Sequence, residues 1–293
     1  MKTSPASKIV SALVLSGLSL LASPALGRAA NVAPKGHVTR QGEAFTFSLR
    51  FLGSVDAGRA RLAISPPTQQ GTGSVINIVA EAEALGLAKA ISGLHEQYRL
   101  VLDGATLLPR SIHLQESGWR MRTAVITLDG KTVDLVITRP NGEQRGRMTM
   151  PTEQLDPLAV LLSLRAMRLH DGDKLDLVVL DGSAFYQGTM EVVGREELAT
   201  PNGPQKAIKI ACRGERIVNN GQKVGRPPRF GTVWVSDDPA RLPLRIEGET
   251  ELGKAEFVLT SFEPGRKPLP LPKKVVGINE RRADTTPEAL PKL

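Results

Sequence analysis

The 293-residue chain is short of the residues from which sites are usually built. It has one cysteine, four histidines, two tryptophans and two tyrosines. A single cysteine excludes an intrachain disulfide. Cys212 lies in KAIKIACRG, in phase with Ile208 and Ile210, and reads as a small buried hydrophobe rather than a reactive thiol. His37, His95, His113 and His170 are scattered, without the H-x-x-x-H or H-E-x-x-H spacing of a metal site. Asp171, Asp173, Asp176 and Asp181 cluster but lack the alternate ligands and closing Glu of a calcium loop, so they read as turn and strand-edge residues. No G-x-S-x-G elbow, S-x-x-K set, P-loop or dinucleotide glycine pattern occurs. The residues therefore assign no catalytic, cofactor or metal ligands. With aromatics at 4%, the core must rest on Val, Ile, Leu and Ala.

Residues 1–29 have the make-up of a cleavable secretory signal. Lys2 and Lys8 precede a mostly apolar run from Ile9 to Leu21, and Ala25-Leu26-Gly27 fits an A-x-G cleavage site. The run falls short of the about 20 apolar residues of a membrane span, and no later segment approaches that length. The expected location is the periplasm or another extracytoplasmic space. The net charge of +8 is uneven: the signal contributes two cations and no acids, and residues 264–293 hold seven basic residues against three acids. The part between is nearly balanced, which argues against nucleic acid as a partner.

From 43 to 263 the chain reads as short strands with turns. Phe45, Phe47, Leu49 and Phe51 alternate with polar neighbours, and the period of two returns at 59–64, 98–102, 111–115, 120–128 and 132–138. Asp103-Gly104, Asp129-Gly130 and Asn141-Gly142 supply turns. Further strands are expected at 175–180, 187–193, 207–212, 231–235, 244–249 and 255–262. One helix is expected over about 155–168, capped by Asp156 with Pro157 at its first position. It is apolar most of the way round, so it should be covered on two sides. The fold class expected is mainly β: one domain over 40–263, a curved antiparallel sheet or partly open barrel with this helix packed on it. The Pro- and Lys-rich stretch 264–293 is expected to be extended and unstructured.

Four blocks stand in a familiar order: GEAFTFSLRFLGSVDAGRARLAI, YRLVLDGATLLPRSI, LDPLAVLLSLRAMRLHDGDKLDLVVLDG and VWVSDDPARLPLRIEGETELGKAEFVL. The cues within them are Gly58, Leu107-Leu108-Pro109, Asp156-Pro157, and Ser236-Asp237-Asp238 before Leu242-Pro243. On these the chain resembles domain-of-unknown-function family 3108, a family of exported bacterial proteins. The resemblance implies an extracytoplasmic, mostly β protein of a two-membrane bacterium, and brings no site residues with it.

Three functions follow as expectations. The first is non-enzymatic binding or carriage of an apolar or amphipathic envelope molecule, a lipid or lipidated partner. It would be held in a cavity of several hundred Å³, with Leu158, Leu161, Leu162 and Trp234 as lining residues. The second is a structural or interaction protein using the sheet edge and the basic tail, the latter touching anionic head groups or wall polymer. The third is a hydrolase whose triad the fold assembles around His113 or His170.

Overall fold

The computed structural model describes residues 40–51, 55–70, 73–118, 121–250, 253–265, 267–268 and 278–281. The signal-like segment and Trp119 lie outside them. The elements in chain order are β1 (Arg40–Gln41), β2 (Ala44–Phe51), β3 (Val55–Ile64), β4 (Thr68–Gln70), β5 (Gly73–Ala84), α1 (Gly86–Ser92), β6 (His95–Asp103), β7 (Pro109–Ser117), β8 (Arg122–Asp129), β9 (Thr132–Arg139) and β10 (Gly142–Thr149). After α2 (Pro157–Ala166) come β11 (Lys174–Asp181), β12 (Ala184–Thr200), β13 (Gly203–Ile217), β14 (Arg229–Ser236), β15 (Pro243–Thr250), β16 (Gly253–Glu263), β17 (Lys267–Pro268) and β18 (Ile278–Arg281).

Among the described residues, sixteen strands form one antiparallel sheet in the order β10-β9-β8-β7-β6-β5-β3-β2-β16-β15-β14-β13-β12-β11-β18, with β4 alongside β5. The chain starts near the middle at β2, meanders out to one edge at β10, crosses the concave interior as α2, and meanders back from β11 to meet β2 at β16. Among the described residues the edges do not pair with each other, so the sheet curls without closing. The curl brings distant strands together: a Cβ placed on Gly182, after β11, would stand 3.8 Å from Arg122 Nη2 on β8. The inner face is the core, filled by alternate residues such as Tyr98, Leu100 and Leu102 on β6, or Ala124 and Ile126 on β8.

α2 is the central element. Asp156 caps it: its Oδ1 accepts from the Leu158 amide at 2.8 Å, and Pro157 opens the first turn. All ten of its residues are buried. It stops at Ala166 rather than 168, because Met167 turns extended and its amide bonds back to Leu164. Arg165 is the one charge on the helix, and it is fully enclosed. Its guanidinium donates to both Glu43 oxygens (2.8 and 3.3 Å) and to the Ala240 carbonyl (3.2 Å), and lies 5.2 Å over the Phe45 ring. The helix is thereby pinned to the start of β2 and to the turn before β15.

Gly58 sits within β3, where a Cβ would lie 2.5 Å from the Glu83 carbonyl oxygen on β5, so close backbone approach requires glycine there. One expectation needs correction. The stretch after 263 is not wholly unstructured: Lys267–Pro268 pairs with β1, and Ile278–Arg281 pairs with Lys174–Leu177 of β11. The unpaired backbone of β11 gives the last segment a template. Beyond Leu177 the same edge is taken by Leu155, which pairs with Val179 in parallel just before α2.

A chain ending at Glu263 should therefore lose more than a tail. Calorimetry should show Tm lower by about 3–8 °C, and light scattering should show self-association through the uncovered β11 edge. Separately, Arg165→Met should cost about 3–5 kcal/mol in urea unfolding by stranding the Glu43 carboxylate, while Arg165→Met combined with Glu43→Leu should recover most of that loss.

Candidate functional site

Among the described residues, the inner face carries a polar row in an otherwise largely apolar lining. Glu96 on β6, Glu116 on β7 and Arg122 on β8 are successive register partners. Glu96 and Glu116 are 5% and 4% exposed. Arg122 closes a two-point ion pair on Glu116, with Nη2 3.0 Å from Oε1 and Nε on the other oxygen. Two residues along β6, the Tyr98 hydroxyl donates to Asp156 Oδ2. The helix cap is thus also the acceptor for a core tyrosine. Glu96 Oε1 is buried without a hydrogen-bond partner.

Loss of water shifts these groups. Burial, with help from the Glu116 charge, pushes Glu96 up to about 8, against a pull downward from Arg122. Burial raises Asp156 to about 6, although the Tyr98 and Leu158 bonds favour its anion. Asp181, partly exposed by surface area but closely surrounded by protein, rises to about 7, with Arg229 opposing. Burial and the neighbouring Asp156 hold the Tyr98 hydroxyl well above its usual range.

Beside this row lies a pocket of about 70 Å³ between the first turns of α2 and the strands β2, β3, β5, β6, β15 and β16. Pro157, Leu158 and Leu161 form its helix side, and Phe47, Ile246 and Phe257 contribute from the sheet. It exists because β3 and β5 place Ala60, Ala80 and Ala82 on the inner face, where larger side chains would fill the gap under the helix. Ala60 and Ala80 are only half-buried, and Arg61 and Glu81 next to them, whose side chains alternate to the exposed outer face, complete the lining on the sheet side. Glu96 and Tyr98 are its inner polar wall.

Of the expected lining residues, Leu158 and Leu161 are at the pocket. Leu162 is buried elsewhere in the core. Trp234 belongs to the opposite face of its strand from Val233 and Val235. Its Nε1 donates to Glu196 at 2.6 Å, and its ring lies between Lys209 and Arg245, its register partners on either side. The volume is also far below the several hundred Å³ expected, because aliphatic side chains of α2 and the inner sheet fill most of the interior.

The histidines do not gather a triad among the described residues. His113 is exposed, and the side-chain bonds of His95 and His170 go to Glu81 (2.7 Å) and Asp173 (3.3 Å). No group of three metal-ligating side chains occurs among the described residues, nor does any helix long and apolar enough to cross a membrane. Cys212 is buried, which raises its thiol pKa far above the usual value.

Glu96, Glu116 and Arg122 are absent from the sequence expectation. The strand was read from Tyr98; carrying its period of two back one step puts Glu96 on the inner face, where a carboxylate is costly.

Residues 46–260 match the family described as protein of unknown function (DUF3108). The chain belongs to this family. None of the curated proteins matches it. Among solved structures, it is similar to a β-barrel-like protein of domain of unknown function DUF1849 from Brucella abortus, with TM-score 0.46 and 7% identity over 78% of this chain and all of that one. It is also similar to a candidate lipoprotein from Parabacteroides distasonis, with TM-score 0.37 and 7% identity over 79% of this chain and 99% of that one. A candidate exported protein with a YmcC-like fold from Bacteroides fragilis gives TM-score 0.35 and 8% identity, over 79% and 100%.

The three raised carboxyls set a direction for pH dependence. Asp156, Asp181 and Glu96 start from 3.8, 3.8 and 4.5 in ordinary surroundings and bind protons more tightly when folded. The folded chain then holds more protons than the unfolded one between about pH 4 and 8, so stability falls as pH rises through that window. Urea unfolding at pH 5 and 9 should show this slope. Glu96→Gln should flatten its upper part and be more stable than wild type at pH 9 by about 1–3 kcal/mol.

Proposed function

We propose that the protein is an exported envelope protein that binds an apolar or amphipathic molecule without chemical change, gripping one narrow chain between α2 and the inner sheet. The observation that carries this reading is the alanine-floored pocket against Leu158 and Leu161: it is apolar on nearly every wall and its floor residues Ala60 and Ala80 are only half-buried. Its size admits only a short segment of the guest, with the rest of the molecule outside. The Lys2, Lys8 and Ile9–Leu21 pattern supports export.

A second reading, an interaction protein using the sheet edge, is favoured by β10. That outermost strand is exposed from Gly142 through Arg147 and, among the described residues, pairs on one side only, with β9. Loss of partner capture on substituting Gln144→Pro would identify it.

Native mass spectrometry of protein taken from the periplasm, followed by organic extraction, tests the first reading. A bound acyl species in wild type, reduced about tenfold or more in Ala80→Leu, is the expected result. A bare mass in both, with no uptake of N-phenyl-1-naphthylamine, would overturn it.

A further inference from the structure

Within the polar row every inward group but one is satisfied. Glu116 has Arg122, Tyr98 has Asp156, and Asp156 also has the Leu158 amide. Glu96 alone, 5% exposed and part of the pocket wall, keeps an oxygen with no partner. A buried polar atom left open destabilises a protein, and one that faces a pocket is met when a ligand supplies the missing group.

Which group fits follows from what surrounds Glu96. Glu116 faces it from β7, Arg122 from β8, and Asp181 from the end of β11; Tyr98 and Asp156 lie on the α2 side. Arg122 is already committed to Glu116. A ligand carboxylate would meet the negative charges of Glu116 and Asp181. An ammonium needs acceptors for three N–H donors, and the wall offers Glu96 and the Tyr98 hydroxyl, already engaged with Asp156, amid apolar side chains. A neutral carbonyl oxygen needs a single donor and loses little on leaving water.

Building on the apolar-chain reading above, we propose that the pocket takes a single alkyl chain bearing an ester carbonyl, and that the Glu96 carboxyl donates its O–H to that carbonyl oxygen. Glu96 is thus the element that selects an acyl ester over a bare hydrocarbon. The elevated affinity of Glu96 for its proton keeps the donor in place at neutral pH.

The test uses methyl octanoate labelled with ¹³C at the carbonyl, and nonane as its acceptor-free counterpart, both delivered from cyclodextrin to the full-length mature protein. At pH 6 the bound carbonyl resonance should move downfield, and the ester should bind about tenfold more tightly than nonane, the equivalent of one hydrogen bond. At pH 9.5 wild type should lose about tenfold in ester affinity, with nonane unchanged. Glu96→Gln, which keeps a donor, should bind the ester equally at both pH values. Glu96→Leu should bind ester and nonane alike. If both ligands bind equally to wild type, with the carbonyl unshifted and no pH dependence, the role of Glu96 is overturned while the apolar pocket stands. If octanoate binds more tightly than its methyl ester at pH 6, the ester assignment is overturned. If neither ligand binds, the apolar-chain reading fails first.

Discussion

The Arg165–Glu43 pair sets the position of everything inside the curled sheet. A helix with one dominant apolar stripe finds its orientation by burying that stripe. α2 is buried all round, so hydrophobic burial alone leaves its rotation and depth poorly defined. Direction must come from groups that bond in particular geometries. The guanidinium fork on the Glu43 carboxylate, with the Ala240 carbonyl as a third contact, supplies it at the C-terminal end of the helix. At the N-terminal end Asp156 does the same, holding the first turn with one oxygen and Tyr98 of β6 with the other. Two polar anchors about ten residues apart thus fix a helix that aliphatic packing would let slide.

The pocket follows from that fixed placement. With α2 held at both ends, the small side chains at Ala60, Ala80 and Ala82 cannot be compensated by the helix settling onto them, and a gap persists. The Glu96–Glu116–Arg122 row lies at the end of the same inner face. Space, apolar walls and an open hydrogen-bonding valence therefore meet beneath the first turns of α2.

The signals that showed through in the sequence were those resting on local chemistry. The alternation of Phe45, Phe47 and Leu49 gave β2, and Asp156-Pro157 gave the start of α2. Pro109 and Pro243 open β7 and β15, as the missing amide donor suggests. β10 escaped because GEQRGRMT has no apolar alternation: an outermost strand exposed on both faces has nothing to alternate for. β12 runs for seventeen residues, well beyond its apolar centre, because the polar end Glu196–Thr200 is carried by pairing with β13. β18 depends on a bare edge over a hundred residues away in sequence, and no local pattern records that. The same holds for the site. Leu158 and Leu161 follow from helix periodicity, but whether an outward or inward wall receives Trp234, and which acid lacks a partner, depends on how the sheet closes around the helix.

The junction of β2 with β16 has a consequence for how the chain becomes a protein. The Thr260 hydroxyl reaches the Thr46 carbonyl across 214 residues of sequence, and the strand that covers one side of β2 is the last of the large ones to be made. A chain emerging N-terminus first therefore presents the bare flank of its central strand throughout its own delivery. It can complete that strand only when nearly all of it has arrived. Such distant pairing slows folding and lengthens exposure to wrong partners. The order of the strands makes the time between first and last residue a period of vulnerability, during which a holding factor for unfinished chains would have its greatest effect.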